Sequence, residues 1–246
     1  MRMRRPLNRL LASRGLELRE LGSHARRYGD GMDALRRRGF SPATVVDVGV
    51  GRGTPWLYDP WPSAHLVLIE PHPVFVPDLQ RLAATRGATV FTQAVGATAG
   101  TVVLNTNDHT PTSSSLLAPS AMSKALARRR PCRITPVPVP MRTLDETLPE
   151  ATFDGPLLLK IDTEGCERDV ILGATHTLRR TEVVITETCV AQRFEGSYEF
   201  ADLIALMDAR GFRLFDVLDI RTLGKRGPIN YLDGVFIRRG ALATVG

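Results

Sequence analysis

Short apolar runs rich in β-branched residues alternate along this chain with segments whose apolar positions recur every three to four residues. Thr44–Gly49, His65–Glu70, Ala88–Thr92, Leu157–Asp162 and Glu182–Glu187 have the first character and predict strands. Asp78–Thr85, Glu167–Leu178 and Tyr198–Arg210 have the second and predict helices, the last closed by Gly211. Between the first two strands, Pro55, Pro60 and Pro62 leave room only for a short, irregular helix. Thr101–Asn105 reads as an extra strand or hairpin arm. The last two strands, Arg213–Leu218 and Gly234–Arg238, are joined by a loop containing Gly224, Gly227 and Pro228, with no helix between them. Ahead of the first strand, Leu7–Leu21 reads as a basic amphipathic helix and Asp33–Arg38 as a second short one, stopped by Gly39.

Strands alternating with helices imply a mostly parallel sheet covered on both faces, and the helix-free ending implies a terminal antiparallel pair. The expectation is a single α/β domain over residues 41–240, with a seven-stranded sheet and a basic helical arm over residues 1–40. Residues 106–140 break the rhythm. They hold Thr112-Ser113-Ser114-Ser115, a basic helix candidate over Ala121–Arg130 and a run of alternating prolines ending at Pro140. A stretch this long inside a compact domain reads as a functional loop insertion on the substrate side. Sheets that end in an antiparallel pair are typical of the class I methyltransferase Rossmann-like fold and not of nicotinamide-binding folds. No internal repeat is present.

Composition narrows the picture. With 246 residues, 43% of them hydrophobic, the chain can bury a sizeable core. No apolar run approaches a membrane span. The start, Met1 to Pro6, is basic, but Leu7 to Ser13 and Arg14 is too short and too charged for the apolar stretch of a signal peptide. The expectation is a soluble, cytoplasmic protein. Cys132, Cys166 and Cys189 fit no zinc or redox spacing and read as idle thiols. The net charge of +6 is concentrated in the arm: residues 1–40 hold eleven Arg against four acids, and the rest of the chain is close to neutral. These Arg residues are interleaved with Leu at helical spacing and have no aromatic platform for stacking bases, so the arm reads as a solvated helical face rather than a nucleic-acid surface.

The chemistry concentrates at predicted strand ends, where open α/β sheets bind ligands. Asp47-Val48-Gly49-Val50-Gly51-Arg52-Gly53 joins the first strand to its turn, and glycines there let the backbone approach a ligand. A dinucleotide fingerprint would place Gly where Thr54 stands. Glu70, followed by Pro71, closes the second strand. A carboxylate there can accept both hydroxyls of a ribose, as an adenosyl group requires, although the same acid would also suit the ribose of a nicotinamide dinucleotide. Gln93, just before Ala94, is placed to meet the adenine edge.

On these residues the chain resembles the FkbM family of methyltransferases over about residues 44–238. The likeness rests on Asp47-Val48-Gly49-Val50-Gly51, Ile69-Glu70-Pro71-His72-Pro73, Ala94-Val95-Gly96, Ser113-Ser114-Ser115-Leu116 and Leu144-Asp145-Glu146. Its most diagnostic part is Leu159-Lys160-Ile161-Asp162-Thr163-Glu164-Gly165-Cys166-Glu167, running on to Leu172-Gly173-Ala174. The resemblance implies an S-adenosylmethionine-dependent enzyme that O-methylates a hydroxyl of a natural product, sugar or glycolipid. Two places depart from the family pattern. Val50-Gly51-Arg52-Gly53 stands where Ala-Asn-x-Gly is frequent, and Asp108-His109-Thr110-Pro111 replaces a glycine-bearing stretch.

A hydroxyl acceptor must lose a proton, to a general base or with the help of a metal ion. The expected catalytic residues are Asp162, at the end of the central strand, Glu164 in the turn after it, and His109 as general base in the irregular loop. Asp162 could also hold the cofactor's amino group, and as a bland alternative it could cap the following helix. Asp162 and Glu187, on neighbouring strand ends, are the candidates for a magnesium site, with metal dependence left open. The cofactor-binding set is Asp47, Gly49, Gly51, Glu70, Pro71, Gln93, Ala94 and Asp162. Competing readings are a nucleic-acid or other N-directed methyltransferase, a noncatalytic adenosyl-binding module and a nicotinamide oxidoreductase. Against the first, Asp162-Thr163-Glu164 stands where amino-directed enzymes carry Asp/Asn-Pro-Pro-aromatic. The N-terminal helices could cover the site or support a homodimer.

Overall fold

The computed structural model describes residues 28–127, 133–149, 153–224 and 227–242. The predicted helix over Leu7–Leu21 and Cys132 lie outside the described residues. The strands are β1 Thr44–Val48, β2 His65–Ile69, β3 Thr89–Phe91, β4 Ala94–Val95, β5 Gly100–Asn107, β6 Ile134–Arg142, β7 Leu157–Ile161, β8 Thr181–Cys189, β9 Phe212–Thr222 and β10 Ile229–Arg238. The helices are α1 Tyr28–Arg37, α2 Pro55–Tyr58, α3 Val76–Arg86, α4 Ala121–Ala127, α5 Leu144–Thr147, α6 Glu167–Leu172, α7 Thr175–Arg180 and α8 Phe200–Ala209.

Seven strands form one sheet in the order β3-β2-β1-β7-β8-β10-β9. The five strands from β3 to β8 are parallel. Strand β10 runs antiparallel between β8 and β9, which makes the expected terminal pair. This is the class I methyltransferase arrangement. Every residue of β1 and β7 is buried, because helices cover both faces of the sheet. Alternation divides the core in two. Val46, Val48, Val67, Ile69, Leu159, Ile161 and Val184 face α6, α7 and α8, which supply Val170, Leu178, Leu203 and Met207. Val45, Leu66, Leu68, Leu158, Val183 and Ile185 face α1, α2 and α3, which supply Met32, Leu35, Leu57 and Leu79. Residues 28–37 of the basic arm are thus part of the second core layer.

The insertion contains more regular structure than its prolines suggest. Strands β4, β6 and β5 form a second sheet in that order, with β6 antiparallel to β5 from Ile134 to Met141. Pro136, Pro138 and Pro140 fall on alternate residues, so all three missing N–H groups lie along one edge of β6. The ladder to β5 is carried from the other edge by the residues between them. Beyond the proline edge, β4 pairs only at the carboxyl end of β6, through Met141 and Arg142.

The expected helix over Glu167–Leu178 is two helices, α6 and α7, broken at Gly173. The cause is a close approach: a Cβ on Gly173 would lie 2.1 Å from the Gly96 carbonyl oxygen. Across the same junction, Asp145 accepts from the backbone N–H groups of His176 and Thr177 at the start of α7. Three of the family-like segments, Ala94-Val95-Gly96, Leu144-Asp145-Glu146 and Leu172-Gly173-Ala174, therefore meet in space as a structural joint at the edge of the site, which Ala94 and Val95 also line. The buried thiols of Cys166 and Cys189 are free, as expected. Among the described residues, no helix is long and apolar enough to cross a membrane.

Candidate functional site

In an open α/β sheet the crevice lies where the strand order reverses, outside the carboxyl ends of the strands. Here that point is between β1 and β7. A cavity of about 360 Å3 opens there, lined by the turn after β1, the end of β2, Gln93 and Ala94, the serine stretch, the carboxyl ends of β7 and β8, and Asp233 in the middle of β10.

The β1 turn is held tightly. Asp47 and Lys160 are register partners on β1 and β7, and Lys160 Nζ lies 3.1 Å from Asp47 Oδ1. Thr54 Oγ1 donates to Asp47 Oδ2 at 2.8 Å, and the Tyr58 hydroxyl donates to the same oxygen. Lys160 also donates to the Gly49 carbonyl at 3.1 Å and sits 3.3 Å from Asp162 Oδ2. Burial opposes the charge on Lys160, but Asp47 and Asp162 outweigh it and raise the ammonium pKa above its ordinary value. Asp47 is fully buried and does not line the cavity. It fixes the floor of the site through Lys160, a role different from the expected cofactor contact.

Gly49 shows why the turn is glycine-rich. Its φ is +79°, and a Cβ there would fall 1.8 Å from the Asp162 carbonyl oxygen. The two strand ends close on each other at this point, with Asp162 N–H donating to Val48 O at 3.0 Å. Glu70 faces them from β2. Gly51 N–H donates to its Oε2 at 2.9 Å and His72 N–H to its Oε1 at 2.8 Å. Burial raises the Glu70 pKa, and the two backbone donors and Lys160 work against that rise. Each carboxylate oxygen keeps a further lone pair for a ligand hydroxyl. Gly49, Gly51, Glu70, Pro71, Gln93, Ala94 and Asp162 all line the cavity, so the structure brings these expected cofactor residues together. Gln93 is anchored from outside by its own donation to Thr147 Oγ1 at 2.8 Å.

The other end of the cavity is acidic. Ile161 pairs with Thr186, and Glu187 pairs with Asp233, so Asp162, Glu187 and Asp233 stand at one level across β7, β8 and β10. All three line the cavity. Tyr28 of α1 stacks on Trp56 of α2 at 4.3 Å between ring centroids, and its hydroxyl donates to Asp233. Burial first, and then the nearby Asp162 and Asp219, push Asp233 up to about 6, against the Tyr28 hydrogen bond and Lys160.

Glu164 lies just outside this row. It is buried and has φ of +54°, the left-handed region that costs a side-chain-bearing residue energy, followed by Gly165 at +102°. The turn is pinned from two sides. Ser115 Oγ donates to the Glu164 carbonyl at 2.7 Å. Glu167, fully buried at the start of α6, accepts from Thr163 N–H at 2.9 Å, Gly165 N–H at 3.1 Å and the Tyr198 hydroxyl at 2.8 Å. Glu164 does not line the cavity. Its carboxylate meets Arg193, whose Nη2 is 2.6 Å from Glu164 Oε2 and whose Nη1 is 2.5 Å from Glu187 Oε1. Burial raises both glutamates, and Arg193 offsets part of the rise.

The carboxylate oxygens of Asp162, Glu164 and Glu187 come within 4.8 Å of one another. The Arg193 guanidinium already lies between the two glutamates. The residues present therefore do not fit a magnesium ion at Asp162 and Glu187, the candidate site for which the sequence leaves metal dependence open. His109 is exposed, and its backbone N–H donates to Asn107 Oδ1 at 3.0 Å. It is not among the cavity residues, whereas Pro111, Thr112, Ser114 and Ser115 of the same loop are. The structure does not bring His109 together with Asp162 and Glu187.

Tyr28, Trp56 and Asp233 in the wall of the acidic end, and Arg193 behind it, carry no signal in the linear sequence. They come from an arm, a proline-started turn, a late strand and a loop, and only the register of β8 with β10 and the packing of α1 assemble them.

A family model for the methyltransferase FkbM domain matches residues 47–214. A search of the curated proteins finds none that matches. Among solved structures, the chain is similar to magnesium protoporphyrin IX methyltransferase from Synechocystis PCC 6803 with bound SAM, at 11% identity over 86% of this chain and 77% of that one, with a TM-score of 0.46. It is also similar to 1,6-didemethyltoxoflavin-N1-methyltransferase from Burkholderia thailandensis, bound to 1,6-didemethyltoxoflavin and S-adenosylhomocysteine, at 14% identity over 86% and 78% of the two chains, with a TM-score of 0.45. The matched segment, from the Asp47 that anchors β1 to Leu214 in β9, makes up well over half of the sequence, and the chain belongs to the FkbM methyltransferase family.

Proposed function

We propose that this chain is an S-adenosylmethionine-dependent O-methyltransferase acting on a hydroxyl of a small molecule, sugar or natural product. The observation that carries this reading is the polarity of the cavity. One end offers Glu70 above a glycine turn in which a Cβ on Gly49 would collide with the Asp162 carbonyl, and the other offers the carboxylates of Asp162, Glu187 and Asp233. The first end fits an adenosyl group: Glu70 accepts ribose hydroxyls, Gln93 and Ala94 flank the base, and the Gly49–Gly51 backbone receives the amino-acid tail. The bound cofactor supplies an electrophilic methyl group, so the protein's task is position and electrostatics.

The acidic end suits a neutral acceptor that donates hydrogen bonds. Carboxylates lining the cavity accept from a hydroxyl, orient its oxygen and draw off its proton as the bond to carbon forms. Lys160 and Arg193, the cations beside this row, are each already paired with its carboxylates, so neither is offered to a phosphate-rich backbone. Asp162-Thr163-Glu164 after β7 likewise lacks the Pro-Pro-aromatic turn of amino-directed enzymes.

Calorimetric titration with S-adenosylhomocysteine, with NAD as the control, tests the cofactor assignment. Wild type is expected to bind the former and not the latter. Glu70→Gln keeps the shape but loses charge-assisted hydrogen bonds, and is expected to weaken binding by about ten- to a hundredfold. Equal affinity in wild type and variant would remove Glu70 from the cofactor site, and NAD binding would overturn the reading. O-methylation itself is tested by screening neutral polyols and polyketide hydroxyls for transfer of a labelled methyl group.

A further inference from the structure

We propose that Arg193 is the built-in cation of the acceptor end of this pocket, standing where a divalent metal ion would otherwise be held. The three carboxylates of Asp162, Glu164 and Glu187 converge within 4.8 Å, and Glu164 and Glu187 are largely withdrawn from water. Buried acids this close require a counter-charge. Arg193 supplies it with two different nitrogens on two different acids, at 2.5 and 2.6 Å. A planar guanidinium fork matches that bridging geometry, as a point charge on a flexible stem does not.

Arg193 is fixed on every side. Its guanidinium carbon lies 4.8 Å from the Tyr231 ring centroid and 5.2 Å from that of Phe194. Its carbonyl oxygen accepts from Ser120 N–H at 2.9 Å and from Ser123 Oγ at 2.6 Å, which ties it to the insertion. The remaining acid, Asp162, is already 3.3 Å from the Lys160 ammonium. Magnesium demands near-octahedral oxygen ligands at about 2.0–2.1 Å and keeps several waters. No such arrangement forms around carboxylates bridged by a guanidinium. Arg193 is thus a positioning residue: it keeps one oxygen of Glu187 engaged, fixes the carboxylate in the cavity wall, and offsets one of the pair's two negative charges without an ion.

This inference rests on the pocket being the methyl-transfer pocket, but its test needs no turnover, so failure of either is separately visible. Mn2+ is titrated into the full chain, with and without S-adenosylhomocysteine, and bound ion is read by electron paramagnetic resonance. Wild type is expected to show no saturable binding. Arg193→Met, which keeps length and loses charge, is expected to bind Mn2+ at least about tenfold more tightly than wild type. Adding Glu187→Gln to it should abolish the gain, and Arg193→Lys should suppress most of it by restoring a positive charge. A cooperative thermal unfolding transition in the absence of ligand reports that each variant is folded. Saturable Mn2+ binding by wild type that Glu187→Gln removes would overturn the proposal, because the arginine would then yield to a metal. So would a folded Arg193→Met protein with no gain in affinity. If Arg193→Met does not fold, the comparison of wild type with Glu187→Gln still decides.

Discussion

Single residues carry this site because each does a task its neighbours cannot share. Gly49 and Gly51 both have positive φ, yet they differ in what surrounds them. A Cβ on Gly49 meets a backbone carbonyl at 1.8 Å, whereas one on Gly51 meets only the Thr112 methyl at 3.4 Å. Gly51→Ala is therefore expected to cost about 1–2 kcal/mol, the left-handed penalty alone. Gly49→Ala adds a backbone overlap and is expected to cost about 2–5 kcal/mol and to abolish S-adenosylhomocysteine binding. Denaturant midpoints and calorimetry check both, and equal costs would mean that the contact between the β1 and β7 ends relaxes freely. Asp233 gives a prediction in pH. Its pKa is raised from 3.8 to about 6 in the folded chain, so the folded state holds its proton more firmly than the unfolded state does. Stability from this group therefore rises as pH falls from about 6 to about 4, and its buried charge is a constant penalty above that window. The melting temperature of wild type minus that of Asp233→Asn should grow more positive across that interval as pH falls. A flat difference would mean that Asp233 is not buried against Tyr28 as described.

Elements that bury both faces were the most legible, because nothing but a central strand combines short length with unbroken β-branched and Leu-rich runs. That holds for β1, β2, β7 and β8, and the acids and glycines at their ends followed from the same reading. The proline run was not legible: Pro136, Pro138 and Pro140 look like breakers until β5 and β4 show that one edge of β6 needs few donors. The break at Gly173 was hidden for a related reason, since its cause is a carbonyl 77 positions away at Gly96. Asp47 was legible as an acid at the right place but not as the buried partner of Lys160, and Arg193 was invisible because proximity to two glutamates is a property of the folded loop. The edge of β6 that carries the β5 ladder can be tested by substitution within the strand. Pro138→Ala removes no donor from the β5 ladder and is expected to change stability by less than about 1 kcal/mol. Val137→Pro takes an N–H from the β5 edge and should cost about 1–3 kcal/mol or more, read from thermal or denaturant unfolding. Equal effects would put the ladder on the wrong edge.

At the scale of the molecule, the site is assembled by pieces that lie outside the parallel sheet. The insertion is stapled to the loop after β8 through the Glu195 N–H to Ala118 O bond at 2.8 Å and the two bonds to the Arg193 carbonyl, and to the turn after β7 through Ser115. The end of the basic arm closes the opposite side. Helix α1 places Tyr28 against Trp56 and Asp233 in the cavity wall, and the same helix buries Met32 and Leu35 completely in the core beneath the sheet. A wall residue and two core residues on one short helix tie access to the pocket to the stability of the fold. Burying each of the two core side chains contributes about 1.5–3 kcal/mol, a large share of the roughly 5–15 kcal/mol that holds a domain together. A chain beginning at residue 41 is accordingly expected to lose cooperative unfolding and to bind an apolar dye, whereas Tyr28→Phe, which removes only the hydroxyl, should fold normally. Tyr28→Phe frees Asp233 from its donor, so its Asp233-dependent stability window should move to higher pH, the hydrogen bond having held that carboxyl down. Should the truncated chain unfold cooperatively at the wild-type midpoint, α1 would be an appendage, and the acidic end of the pocket would have to be complete without Tyr28.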